Sequence, residues 1–355
     1  MAGPTKSRSP EVSLADVREA AKSLERHVHR TPVLTSEFLD KLSGYQLLFK
    51  CEALQKTGSF KARGLANGAL EAQRRGAKMV VTHSSGNAGQ ALAWAAKAVG
   101  MEVKIVVPRD CPAVKKAAIE NYGATVVLCE PTQTAREEEA QKVVVEQGAV
   151  LVHPSDNLAV IAGNGTVGLE LEEQASKHFG LGNGQDSASP CLDAVIVPLG
   201  GGGLISGVAT AIKGLLPNCK IIGAEPRNAD DAFRSKAAGR ILPHDGPVKT
   251  MADGLKTILG EHTFPIVASI VDDIILVDED DIASATRAVW ERMKIAIEPS
   301  AGVGVAVAVS QELKLKHPGL RRVGVILCGG NSDLSVLSSI LANAEPLEAR
   351  CGRTY

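Results

Sequence analysis

The segment Gln55-Lys56-Thr57-Gly58-Ser59-Phe60-Lys61-Ala62-Arg63-Gly64 sets a lysine just after a Gly-Ser-Phe turn, which itself follows the apolar, strand-like run Leu47 to Cys51. An amine held at such a corner against an apolar wall loses the hydration that favours its charged form, and a partly neutral lysine is a nucleophile for an aldehyde. Taken alone, Lys61 also reads as an ordinary lysine in the first turn of a helix. Two further stretches change that reading: Thr82-His83-Ser84-Ser85-Gly86-Asn87-Ala88-Gly89 and Pro198-Leu199-Gly200-Gly201-Gly202-Gly203-Leu204-Ile205-Ser206-Gly207. Each follows an apolar β-like run and opens a helix-like one, so each offers backbone N–H groups at a helix N-terminus, where the dipole favours an anion. Along Gly200 to Gly203 no side chain blocks a phosphate, and each residue can take φ > 0 to turn its N–H inward.

With Cys328-Gly329-Gly330-Asn331 near the end, four motifs fall in the order found in the fold-type II pyridoxal-phosphate enzymes of the serine racemase and serine/threonine dehydratase family, which the chain resembles from about Val12 to about Leu341. The resemblance implies a two-lobed α/β enzyme, each lobe a mainly parallel sheet flanked by helices. It implies pyridoxal 5′-phosphate held as a Schiff base by Lys61, with Phe60 against one ring face and Asn87 on the 3′-oxygen. Gly200, Gly201, Gly202, Gly203 and Leu204 would bind the cofactor, and Cys328 would lie beside the pyridine nitrogen. A neutral thiol there cannot hold a proton on the ring as a carboxylate would, so the ring is a weaker electron sink, which favours α-proton chemistry and β-elimination over transamination. Phe60 also reads as a core aromatic, Asn87 as a helix N-cap and Cys328 as a buried strand cysteine.

The activity implied is interconversion of L- and D-serine, with elimination of water from serine to pyruvate and ammonia beside it. Racemisation removes a proton from one face of Cα and delivers one to the other, so two groups must flank the cofactor plane. By the resemblance these are Lys61 and Ser85, while Ser84, Ser85 and Asn87 receive the substrate carboxylate. If Ser85 only binds the carboxylate, the chain is instead a serine, threonine or 3-hydroxyaspartate dehydratase; an aspartate racemase is a further alternative, and a silent amino-acid-binding module is one of another class. Lys61, Asn87 and the four glycines argue against that module. Ala88 departs from the family's usual histidine after the Ser-Ser-Gly-Asn run, which bears on substrate preference. Ser155-Asp156-Asn157 carries one serine where relatives acting on aspartate carry a run, which favours serine. Arg136 reads both as a substrate contact reached on closure and as a solvated helix arginine beside Glu137, Glu138 and Glu139.

Glu225 and Asp231, with the Ala229 carbonyl, occupy the family's positions for an activating cation, and oxygen ligands suit Mg²⁺ or Ca²⁺. Their spacing alone does not carry a metal, since a loop with acids at a helix N-terminus is the commoner reading; the resemblance implies the cation. Lys294, on an expected helix Ala283 to Ile297, matches a position at a nucleotide-binding dimer interface, so the resemblance implies ATP as an activator and a homodimer; a lone lysine also reads as part of a solvated face.

The whole chain bounds these readings. Thirty-nine basic against 40 acidic residues leave no net field to select nucleic acid or an anionic membrane, which suits a small amino-acid ligand. Seven cysteines with no C-x-x-C pair suit reduced thiols in the cytoplasm. No apolar run reaches transmembrane length, and Met1 to Pro10, with Lys6 and Arg8 but no apolar stretch behind them, reads as a polar tail and not a secretory signal.

The elements that must position the motifs are legible as alternating apolar strands and amphipathic helices. Ser13 and Asp16 predict a capped helix to about Arg26, and Thr31-Pro32-Val33-Leu34 an extended entry. From Lys78 the pattern predicts strands at 79–82, 103–107, 125–129 and 150–152 with helices at 87–99, 113–122 and 134–147 between them. A second series has helices at 166–178 and 205–215 and strands at 194–197, 221–224 and 323–327, with 180–189 as an exposed loop. Such alternation implies right-handed βαβ units and parallel sheets, with ligands at the carboxyl ends of the strands. The resemblance divides the chain into a discontinuous large domain, 1–76 plus 156–345, a small domain, 77–155, and a C-terminal tail, 346–355.

Overall fold

The computed structural model describes residues 12–181 and 190–351. Among the described residues ten strands run β1 Val33–Leu34, β2 Gln46–Cys51, β3 Met79–His83, β4 Glu102–Pro108, β5 Thr125–Cys129, β6 Val150–Leu151, β7 Ala194–Pro198, β8 Lys220–Pro226, β9 Asp273–Val277 and β10 Arg322–Leu327. They form a six-stranded sheet, β1-β2-β10-β7-β8-β9, and a four-stranded sheet, β5-β4-β3-β6. Every neighbouring pair is parallel except β1–β2. Helices cover the sheets, so the central strands are apolar on both sides: Leu47, Leu48, Phe49, Val195, Ile196, Val325 and Ile326 are all buried.

Strand order brings the motifs together. β10, last in sequence, inserts between β2 and β7, with Val325 paired to Phe49 on one side and to Ile196 on the other. Cys51 and Leu327 are register partners, so the segment leading to Lys61 and the segment 328–331 leave the sheet side by side. The glycines after β7 leave from the neighbouring strand end.

Several expectations need correction. The helix expected at 166–178 runs Leu158–His178, because Gly163 and Gly165 are packing points and not breaks. A methyl on Gly163 would lie 2.7 Å from the Arg63 carbonyl, and one on Gly165 2.8 Å from that of Gly207. β9 was not expected at all; its short apolar run lies between acidic pairs. The helix expected at Ala283 to Ile297 is a helix Glu279–Ala288 followed by one π turn, Val289–Met293, and it stops at Lys294, whose φ is +60°. The chain reverses there to bury Ile295 and Ile297, and the Trp290 indole donates to the Ile297 carbonyl at 2.9 Å. The expected C-terminal tail is helical over Leu347–Cys351, with Leu347 buried and Arg350 Nε donating to Asp281 at 2.6 Å. The N-terminal tail Met1 to Pro10 lies outside the described residues, as does the expected loop 180–189 from residue 182 on. Among the described residues no helix is long and apolar enough to cross a membrane.

Candidate active site

Lys61 is the first residue of the helix Lys61–Arg74, and Phe60 precedes it as N-cap. The helix start is pinned from both sides. Phe60 N donates to the Cys328 carbonyl at 3.0 Å. Two residues on, the fully buried Arg63 donates to Glu52 at 2.8 Å and to Glu170 at 2.7 Å, and Lys50 donates to the same Glu170 at 2.6 Å. A buried guanidinium so fully paired fixes geometry even where its net contribution to stability is small. The Lys61 amine donates to the Pro154 carbonyl at 2.6 Å and lies 5.1 Å from the centre of the Phe60 ring. Burial lowers the amine to about 8, with Cys328 and Glu298 opposing, so a useful fraction is neutral near physiological pH.

The next residue was not legible in the sequence. Glu298, the N-cap of the helix Pro299–Val309, is buried beneath Asn87. Asn87 Nδ2 donates to its two oxygens at 3.0 and 3.1 Å, and Asn331 Nδ2 donates to Asn87 Oδ1 at 2.9 Å, which fixes the amide orientation. Asn331 also donates to the Thr57 carbonyl at 2.6 Å. Thr57 has φ +58°, a conformation costly for a β-branched residue. Burial raises the Glu298 carboxyl to about 7; Asp253 adds to the rise, while the Asn87 bond, Lys115 and Lys61 oppose it. Asn87 is the first residue of the helix Asn87–Ala98, and Gly86, not Asn87, is its cap. Cys328 is buried at the end of β10, and burial and then Glu298 hold its thiol well above the ordinary range, hence neutral.

The glycine loop is shaped for a group that takes backbone donors. Gly202 has φ +79° and caps the helix Gly203–Leu215, in whose first turn Leu204 is buried. A methyl on Gly200 would lie 2.7 Å from Leu255 Cα, and one on Gly201 2.7 Å from Ser155 Oγ, so no larger residue fits. Among the described residues no backbone acceptor takes the N–H of Gly200, Gly201 or Gly202. These free donors at a helix N-terminus fit a phosphate. A tuned lysine, an oriented amide and a neutral thiol beside them complete a donor set that fits pyridoxal phosphate.

Ser84 and Ser85 end the β3 loop, half-buried, and Gly86 N donates to Ser84 Oγ at 3.3 Å. Gly89 leaves no room there, since a methyl on it would strike the Ser84 carbonyl. Cys111, on the loop after β4, lies near Ser85: burial raises its thiol, while Ser85 and Lys115 lower it. Lys115 reaches Asp253 at 3.5 Å, which ties this loop to the segment beside Glu298. Ala88 is buried in the core of the four-stranded sheet. Arg136 is half-buried, with Nε buried and lacking a partner.

Glu225 and Asp231 lie behind the glycine loop. Glu225 accepts from Ala232 N and Phe233 N at 2.9 Å, and Asp231 accepts from Leu259 N at 3.3 Å. Burial and the Asp231 charge raise Glu225 to about 9; burial raises Asp231 to about 6, with His244 opposing. Ala229 is buried in the turn between them. Among the described residues no three His, Cys, Asp or Glu side chains form a metal cage. Lys294 is exposed, its amine donating to the Glu291 carbonyl, and is not drawn into the site.

Residues 24–329 match the model of the family described as pyridoxal-phosphate dependent enzyme. The chain is 46% identical over 338 residues to serine racemase of Homo sapiens, covering 94% of this chain and 95% of that protein. Its structure is similar to that of maize serine racemase (TM-score 0.86, 40% identity, 94% and 98% of the two chains). It is also similar to that of a T.th. threonine deaminase (TM-score 0.81, 43% identity, 90% and 99%). The lowered amine beside glycines with free N–H groups and a match over most of the chain agree: the chain belongs to the family of pyridoxal-phosphate dependent enzymes.

Proposed function

We propose that the chain is a serine racemase that interconverts L- and D-serine and also eliminates water from serine to give pyruvate and ammonia. The observation that carries this reading is the buried Lys61 amine, held at 2.6 Å by the Pro154 carbonyl beside the free glycine donors; burial lowers it towards neutrality. Pyridoxal phosphate, when bound, supplies an electron sink that acidifies the α-hydrogen of an attached amino acid. Lys61 would hold its aldehyde, Gly200 to Gly203 with Leu204 its phosphate, Asn87 its 3′-oxygen, Phe60 one ring face and the Cys328 thiol its nitrogen side. Lys61 then takes and returns a proton on one face and Ser85 on the other. Ser84, Ser85 and Asn87 receive the substrate carboxylate, and Arg136 meets the substrate from the small lobe. The similarity to a threonine deaminase favours one second reading, a serine or threonine dehydratase in which Ser85 only binds.

Borohydride treatment of the protein with pyridoxal phosphate should fix the cofactor to the peptide that carries Lys61, read by mass spectrometry. Attachment at another lysine, or none, overturns the reading.

The proposal includes Mg²⁺ or Ca²⁺ on Glu225, Asp231 and the Ala229 carbonyl. Two buried carboxyls that resist ionising support it, as does their connection to the phosphate loop, since the Leu259 whose N–H Asp231 accepts abuts Gly202. Without cation the folded chain keeps protons that the unfolded chain loses. Stability should therefore fall as pH rises from the usual carboxylate range, through about 6, towards about 9. Millimolar Ca²⁺ should flatten that fall and chelator should restore it. Melting curves across this range with a slope indifferent to Ca²⁺ would count against the site. Catalysis should likewise drop on chelation and return with Mg²⁺ or Ca²⁺.

ATP as an activator near Lys294 and a homodimer complete the proposal on the strength of the family resemblance. The cytoplasm is the proposed compartment, supported by seven cysteines all free of disulfides. The proposed lobes are 1–76 with 156–345, carrying the six-stranded sheet, and 77–155, carrying the four-stranded one.

A further inference from the structure

The carbonyl that receives the Lys61 amine belongs to a turn with an unusual closure. His153 follows β6, and its Nδ1 accepts from Ser155 N at 3.2 Å and from Asp156 N at 2.8 Å. A ring nitrogen that accepts two N–H groups carries no proton, so the proton sits on Nε2. The surroundings keep the ring neutral. His83, buried, meets it edge-on at 5.2 Å between ring centres. Burial and then the His83 charge push His153 to about 4, with Asp156 opposing.

Three arms leave this turn. Pro154 O accepts from Lys61 Nζ at 2.6 Å. Ser155 lies under the glycine loop: a methyl on Gly203 would lie 2.7 Å from its carbonyl, and one on Gly201 2.7 Å from its hydroxyl. Asp156 accepts from His262 N at 2.9 Å and Thr263 N at 3.0 Å, which anchors the turn to the helix Thr263–Ile270. Of the two sites it serves, one holds the amine and the other the loop for the phosphate, so a shift of the turn moves both together.

We infer that His153 is a positioning residue for this chemistry: its bare Nδ1 closes the His153–Asp156 turn, which holds the Lys61 amine on one side and floors the tetraglycine loop on the other. The inference rests on the proposed role of Lys61 as the amine that carries the cofactor. An acceptor is what the turn requires, and not a titrating base, so a side-chain amide oxygen can replace Nδ1 whereas an apolar ring of similar size cannot.

The test compares His153→Asn with His153→Phe in the full chain, titrated with pyridoxal 5′-phosphate and followed by its visible absorption. The phenylalanine variant should bind the cofactor at least about tenfold more weakly, as expected for buried donors left unpaired. Its amide exchange at Ser155 and Asp156 should accelerate by a similar factor. The asparagine variant should stay close to the parent in both. Parent-like affinity and exchange in His153→Phe, or an asparagine variant as impaired as the phenylalanine one, overturns the inference. Should His153→Phe fail to fold, nitrogen NMR of the parent decides: Nδ1 of His153 must be bare at neutral pH, and a proton on it overturns the inference. If the parent itself takes up no cofactor on Lys61, the proposed function fails instead, and the exchange rates and tautomer still judge the turn.

Discussion

Replacing Lys61 with alanine is expected to abolish racemisation and elimination together, by about three orders of magnitude or more, because one side chain serves as attachment point and as proton carrier. The helix that begins at residue 61 is held by the Phe60–Cys328 backbone bond and by Arg63 with Glu52 and Glu170, none of which needs the amine. The variant should therefore fold, and near-UV circular dichroism of the apoprotein should match the parent. Lys61→Arg should be as inactive as the alanine variant, since a guanidinium stays charged and cannot supply a neutral nitrogen. Turnover of L-serine at the parental rate in Lys61→Ala would remove the central role assigned to this residue.

Ser85→Ala separates the two activities. It removes the proposed proton carrier on the face opposite Lys61, so formation of D-serine from L-serine should fall by roughly 10²- to 10⁴-fold. Elimination from L-serine needs only the Lys61 face and should survive, lowered by a lost carboxylate contact of about 1–3 kcal/mol. Elimination from D-serine, whose α-hydrogen faces residue 85 in this scheme, should be lost with racemisation. Parallel rates for both enantiomers, with pyruvate and serine chirality followed in one incubation, make the comparison. An unchanged rate of D-serine formation would leave Ser85 with carboxylate binding only and favour the dehydratase reading.

The site was legible in the sequence where chemistry imposes a local pattern. Four glycines in a row, a Ser-Gly-Asn loop at a helix start and a lysine after Gly-Ser-Phe each announce backbone geometry that few other uses require, and the sheet order brings them to neighbouring strand ends. Glu298 was illegible because its role is made by tertiary contact: in sequence it is one acid before Pro299 at the start of an apolar helix, and only folding buries it under Asn87. The early turns of the helix Leu158–His178 were missed because glycine's low helix propensity is outweighed by close packing that only glycine permits. Lys294 shows the opposite failure, since the pattern around it is helical while the chain leaves the helix to bury Ile295 and Ile297. The approach of Cys111 to Ser85 brings together two loops distant in sequence and leaves no mark in either.

Incubating the holoenzyme with L-serine and Mg²⁺ in heavy water tests whether this site moves a proton on both faces of serine. Chiral chromatography with mass detection and a pyruvate assay then follow the products. D-serine carrying one deuterium at Cα should accumulate alongside pyruvate. Pyruvate without D-serine would contradict proton transfer on both faces.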